Sequence, residues 1–169
     1  MNQDEFLYQA LHFLEKIFHK MESKNISLKE HWIVDHLCFR VSSIEKYEQY
    51  KQFFSNWSQL LIESEINGRM IASYKLNTPI LFKHYIIDVL ELPAPKPGRV
   101  TPDGFEHIEV VCDLSFSEIK KLYPLCDFNE SGLNKRFNQD IKVQLNGLAL
   151  KFHHMSLESV IAIEKKSEK

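Results

Sequence analysis

An α+β fold built from two strand–helix–strand–strand–strand units on one shared sheet, preceded by an additional N-terminal helix, is predicted by three features of the sequence. First, an acid–His–aliphatic pattern heads a strand-like run twice, in VDHLCFRV (residues 34–41) and GFEHIEVV (residues 104–111). Second, an Asn-Gly pair separates two strand-like runs in each half, at Asn67-Gly68 and Asn146-Gly147. Both residues tolerate the positive φ of a tight hairpin turn, so each pair marks a hairpin. Third, the halves are divided by Pro93-Ala94-Pro95-Lys96-Pro97-Gly98, where proline removes ladder donors and ends the sheet grammar. Each unit is too small to bury its apolar face alone, so the two are expected to share a sheet.

The elements follow in order. Leu7, Leu11, Leu14, Phe18 and Met21 recur at helical spacing, and Asn2 or Asp4 can cap, which predicts a helix over residues 4–23. From residue 36 the period changes to two, with Leu37, Phe39 and Val41 on one face and His36, Cys38 and Arg40 on the other. A helix is expected over 43–57, then strands over 60–66 and 69–76. Asn77-Thr78-Pro79 reads as a break before a closing strand over 84–92. The second unit repeats the order with a strand over 105–112, a short helix over 115–123, a short strand or loop within 127–138, and the hairpin 141–145 with 148–153. A helix over 156–163 ends it. The resulting division is one domain over 1–169, with a helical segment 1–31, a first unit 32–95 and a second unit 103–165.

Composition narrows the function. With 169 residues, 44% hydrophobic and 26% charged, the chain is globular, and a net charge of −2 gives no reason to expect nucleic acid or an anionic membrane as partner. No apolar run approaches the roughly 18 residues of a membrane span, and the first residues lack the basic and apolar regions of a signal peptide. Cys38, Cys112 and Cys126 are an odd count without paired zinc spacing, as expected of a reduced, cytoplasmic protein. The expected partner is a small molecule.

The polar strand faces carry the chemistry. His36 and His107 occupy equivalent places in the two units, and Glu91, near the end of the first, shares their face. Imidazoles with a carboxylate form a borderline N/O set that suits Zn, Fe, Mn or Ni with positions left for water or substrate. The bland alternative is a solvated sheet face, but such faces favour Thr, Lys and Ser over paired histidines. Glu109, two residues beyond His107, is a candidate general base or an outer partner of the ligands, and a salt-bridged carboxylate is the competing reading. Arg40 and Arg69, with Lys75, are expected on the same side, where guanidinium groups would orient an anionic ligand; ion pairing is the alternative. Cys38 reads as a small apolar filler.

These residues resemble the vicinal oxygen chelate superfamily of glyoxalases and extradiol dioxygenases. More closely, VDHLCFRV, EINGRMIASYKL, VLELPAPKPG, GFEHIEVV and LKFHHMSLESVIA are similar to the YecM family of that superfamily, over nearly the whole chain; only residues 113–140 look shorter than that pattern. The resemblance implies two paired βαβββ modules and a divalent metal held by the first and last strands of each. Carried over by position, that implies His36, Glu91 and His107 as ligands. At the fourth position glyoxalase-like members carry Glu, and this chain departs from them: Lys151 aligns with that Glu, a poor ligand better counted with Arg40 and Arg69 as substrate-binding, and His153 on the same face is the substitute ligand. The resemblance implies a divalent-metal-binding protein without an assigned reaction, and the first reading placed on that site is a metal-dependent enzyme, a lyase, isomerase or dioxygenase, acting on a small oxygen-rich substrate. A non-catalytic binding module of the same fold is the alternative, and an interaction scaffold the third.

Overall fold

The structure, a computed structural model, describes residues 1–167. Helix α1 (Gln3–Glu22) leads, and the first unit follows as β1 (Ile33–Arg40), α2 (Ile44–Ser55), β2 (Ser58–Glu65), β3 (Met70–Phe82) and β4 (Tyr85–Pro93). The second is β5 (Gly104–Val111), α3 (Phe116–Leu122), β6 (Phe128–Asn129), β7 (Ile141–Leu145) and β8 (Leu148–His153), with α4 (Leu157–Ser167) last. The eight strands of the described residues form one sheet in the order β2-β3-β4-β1-β5-β8-β7-β6. β1 runs antiparallel to β5 at the centre, and each is flanked by the last strand of its own unit in parallel, β4 and β8. The predicted α+β pairing of two βαβββ units with an added N-terminal helix is the observed architecture.

Local chemistry sets the boundaries. Asn2 accepts from the Glu5 backbone while the Glu5 carboxylate accepts from the Asn2 backbone, a reciprocal cap that starts α1. Both Asn-Gly turns have positive φ, 53° and 76° at Asn67 and Gly68, 49° and 85° at Asn146 and Gly147, as their hairpins require. Two expectations are corrected. Asn77-Thr78-Pro79 does not break the sheet: β3 continues through it, with a register irregularity between Lys75 and Ile80 where proline needs no ladder donor, and the chain reverses near Lys83 (φ 54°). The buried stripe of α1 is Phe6, Ala10, Phe13, Leu14, Ile17, Phe18 and Met21, which leaves Leu11 38% exposed. The aromatic rings rotate the packed face away from the leucine row, because they bury the larger apolar area.

Phe6 is the centre of that packing. Its ring lies 5.3 Å from Phe39 of β1, 5.1 Å from Phe54 of α2 and 5.1 Å from Phe105 of β5, so one side chain bridges the first strands of both units. Tyr123, at the end of α3, stacks on Phe152 of β8, adding the second unit's helix to the same apolar side. The opposite side of the sheet carries the polar faces of β1, β4, β5 and β8, and α4 packs there against a cavity. No helix of the described residues is long and apolar enough to cross a membrane.

Candidate metal centre

Two bulges at the seam of the sheet aim the central side chains. Along β1 and β5 the register passes from Val34↔Val110 to His36↔Glu109, and from Cys38↔His107 to Phe39↔Phe105. Asp35 on one strand and Glu106 on the other are therefore the extra residues, each placed one before a histidine. Without them strict alternation would put Val34 on the same face as His36, and Phe105 with His107. With them Val34 and Phe105 join the apolar core while His36, His107 and Glu109 face the other way, with Cys38 close to His107. The freed acids fold back on their neighbours: Asp35 Oδ2 accepts from His36 Nδ1 at 2.8 Å, and Glu106 Oε2 bonds His107 Nδ1. Each imidazole is thus held through Nδ1, leaving Nε2 for other work.

His36, Glu91, His107, Glu109 and Lys151 all line one cavity of about 470 Å³, bounded on one side by Val160 and Ile161 of α4. Glu109 lies between the two histidines, with Oε1 3.1 Å from His107 Nε2 and 3.5 Å from His36 Nε2. It is paired with Lys151 Nζ at 2.5 Å. The register explains why: β5/β8 sets Lys151 beside Glu109, as β1/β4 sets Glu91 beside Cys38. Lys151 is thus the second unit's counterpart of Glu91.

With no cation bound, neighbouring charge decides the protonation of this cluster, and a cation would take the place of the proton on His36 Nε2. Burial alone would lower the His36 pKa, but the Glu109 carboxylate and the Asp35 bond outweigh it and raise it to about 10. Burial likewise opposes, and the Lys151 and His36 charges reverse, the shift of Glu109, which is held well below the carboxylate range. Glu106 is brought down to about 2 against its own burial, chiefly by its bond to His107. A carboxylate as strongly stabilised as Glu109 suits a ligand or counter-charge better than a proton acceptor at neutral pH.

Most of the remaining candidates lie around this cluster. His153 is fully buried and does not line the cavity, but its Nε2, 3.8 Å from Asp35 and without a hydrogen-bond partner, forms with Asp35 and His36 a close group of potential ligand atoms; Asn138 bonds its Nδ1, and burial lowers its pKa. Arg40 lines the cavity and pairs with Glu106 at 3.0 Å. Arg69 also lines it, donating to the Ala94 carbonyl at 3.3 Å while its buried Nε has no partner. Lys75 is not a lining residue and is paired with Asp88 and Glu158. Cys38, Glu106 and His107 offer a further close group of potential ligand atoms.

Sequence reasoning passed over Asp35 and Glu106 as working residues, although both stood in the repeated acid–His pair that revealed the duplication. It also assigned α4 no part in the site, whereas Asp35 Oδ2 accepts from the Leu157 backbone N–H at 2.9 Å and so joins that helix to His36. A cation fits the residues present. His36, Glu91 and Glu109 offer ligand atoms within 4.8 Å of one another, and His36 Nε2 is buried without a hydrogen-bond partner.

Comparison with known proteins agrees with this architecture. Protein YecM of Escherichia coli (strain K12) is 30% identical over 146 residues, 78% of each chain. An uncharacterized protein of Haemophilus influenzae is 33% identical over 99 residues, 59% of this chain, and the match spans about half (51%) of that relative's length. The solved structure of a structural-genomics target, protein EC4020, superimposes with a TM-score of 0.81 at 24% identity, covering 95% of this chain and 92% of that one. A variant of Streptomyces coelicolor methylmalonyl-CoA epimerase in complex with 2-nitronate-propionyl-CoA shares the fold more distantly, with a TM-score of 0.53 at 11% identity over 74% of this chain and 97% of that one. The fold is that of the vicinal oxygen chelate proteins. With the family model described as YecM protein matching residues 2–145, the chain belongs to the YecM family.

Proposed function

We propose that this protein holds a divalent cation at the floor of the cavity through His36, Glu91, His107 and Glu109, and that the cation acts on a small oxygen-rich molecule bound above it. The observation that carries this reading is that His36, Glu91 and Glu109 offer ligand atoms within 4.8 Å of one another, with His107 Nε2 3.1 Å from Glu109 Oε1 and His36 Nε2 buried without a hydrogen-bond partner. Two imidazoles and two carboxylates suit Zn, Mn, Ni or Fe(II). When bound, such a cation supplies Lewis-acid polarisation of substrate oxygens. The chain's own residues do the rest. Asp35 and Glu106 fix the two imidazoles through Nδ1, and Lys151 balances the charge of Glu109. Arg40 and Arg69 give the cavity a positive wall for an anionic ligand. Glu109 enters as a ligand here, in place of a general base, a role that its contacts with both histidines and with Lys151 favour. The volume of about 470 Å³ suits a small organic molecule.

The test is elemental analysis of untagged protein, as purified and after reconstitution with Zn, Mn, Ni and anaerobic Fe(II). About one ion per chain is expected, reduced well below that in His36→Ala and Glu91→Ala. Sub-stoichiometric metal under every condition sinks the reading and leaves a metal-free ligand-binding module.

A further inference from the structure

A second cavity of about 430 Å³ adjoins the first, at the end of the seam where the inter-unit linker crosses. Arg40 and Arg69 line both cavities, and Lys96, Arg99 and Lys142 join them in this one. The carboxylates at its wall are Glu106 and Asp103, and both are engaged, Glu106 with Arg40 and His107, Asp103 with Lys46. Among the described residues no carboxylate is paired with Arg69, Lys96, Arg99 or Lys142. Four unneutralised cations around one hollow repel each other. Burial and the Arg69, Arg99 and Arg40 charges lower the Lys96 pKa, while burial and Arg40 lower that of Arg69. The Arg69 Nε is moreover buried without an acceptor, which costs free energy that a bound anion would recover.

We propose that this cavity binds a phosphate or pyrophosphate group, so that the ligand of the neighbouring centre is a phosphorylated molecule whose oxygen-rich end reaches the first cavity past Arg40 and Arg69. A single carboxylate brings one negative charge, too few for this wall, and a dicarboxylate spreads two over separate groups, whereas phosphate concentrates nearly two on one group and pyrophosphate carries more. Planar guanidinium forks match phosphate oxygens in pairs, and two of the unpaired cations are arginines. The link to the neighbouring centre rests on the metal reading above, but the anion site itself does not, because no residue proposed as a metal ligand lines the second cavity.

The experiment is isothermal titration of metal-stripped protein with inorganic phosphate, pyrophosphate and succinate. Pyrophosphate is expected to bind most tightly, phosphate next and succinate at least tenfold more weakly than pyrophosphate. Arg69→Met and Arg99→Met should each weaken pyrophosphate binding by about tenfold or more. Arg69→Lys, which keeps charge and loses the fork, should fall between. Lys83→Met, at the remote β3–β4 turn, should change nothing. Arg99 lies in the linker outside the core, so its variant tests the site even if Arg69→Met fails to fold. Absence of saturable binding overturns the proposal, as does affinity unchanged in Arg99→Met or succinate binding as tightly as pyrophosphate. Pyrophosphate binding intact in a protein that takes up no metal overturns the metal reading alone.

Discussion

Asp35 and Glu106 acquire their place in the site because one extra residue in each central strand turns an acid toward the histidine beside it. Side chains of successive strand residues normally point to opposite faces, so an i, i+1 acid–imidazole bond needs such a departure. The bond from Asp35 fixes the His36 tautomer, and Asn in its place would offer only a neutral acceptor. Asp35→Asn is accordingly expected to lower metal affinity by about 10–100-fold with the protein still folded, measured by competition against a chromogenic chelator. His153 separates two ligand sets. Its Nε2 faces Asp35 and not the cavity, so His153→Ala should leave metal stoichiometry unchanged. A loss of stoichiometry there would return His153 to the ligands in place of Glu109.

At the scale of elements, α1 performs a role that neither unit could supply alone. Phe6 contacts Phe39 of the first unit and Phe105 of the second, on the side of the sheet away from the candidate centre. Removing that ring opens a cavity at the seam as well as losing transfer energy. Phe6→Ala should cost about 3–5 kcal/mol in urea unfolding. Asn2→Ala, which deletes only the cap, should cost roughly 1 kcal/mol. If the two variants lose equal stability, α1 owes its contribution to helix formation and not to bridging the units. The hairpins belong to the same scale, since each Asn-Gly turn fixes the register of the strands beside it and hence the side of the sheet on which Arg69 or Lys151 lies.

For the whole molecule, the dominant fact is that the central ladder of the sheet is inter-unit. β1 and β5 pair along most of their length, and that pairing places Glu109 beside His36 and Cys38 beside His107. The candidate centre and the cation-lined cavity therefore both depend on the units staying together. Proteolytic cleavage within residues 96–100 is expected to leave two fragments that co-elute on gel filtration under native conditions, held by the β1–β5 ladder and by Phe6. Fragments that separate and remain folded would show that each unit stands alone, against the argument from burial.

The sequence alone determined what local periodicity and turn chemistry can specify. It carried the duplicated unit, both Asn-Gly hairpins, the division at the Pro/Gly linker, and the polar face bearing His36, Glu91, His107, Glu109 and Lys151. These features are legible because side-chain direction in a strand and φ in a turn depend on residues close in the chain. It misjudged the Asn77-Pro79 segment and the buried stripe of α1, because a proline at a bulge and an aromatic-led face are set by neighbouring elements. Only the tertiary structure decided that Asp35 and Glu106 bulge, that Glu109 stands between the two histidines, that His153 lies beside Asp35 and off the cavity, and that α4 walls the cavity. Each depends on pairing between strands or helices far apart in the chain, exemplified by the Asp35–Leu157 bond across 122 positions. Period-2 alternation cannot register one inserted residue whose effect appears only when the partner strand is laid beside it.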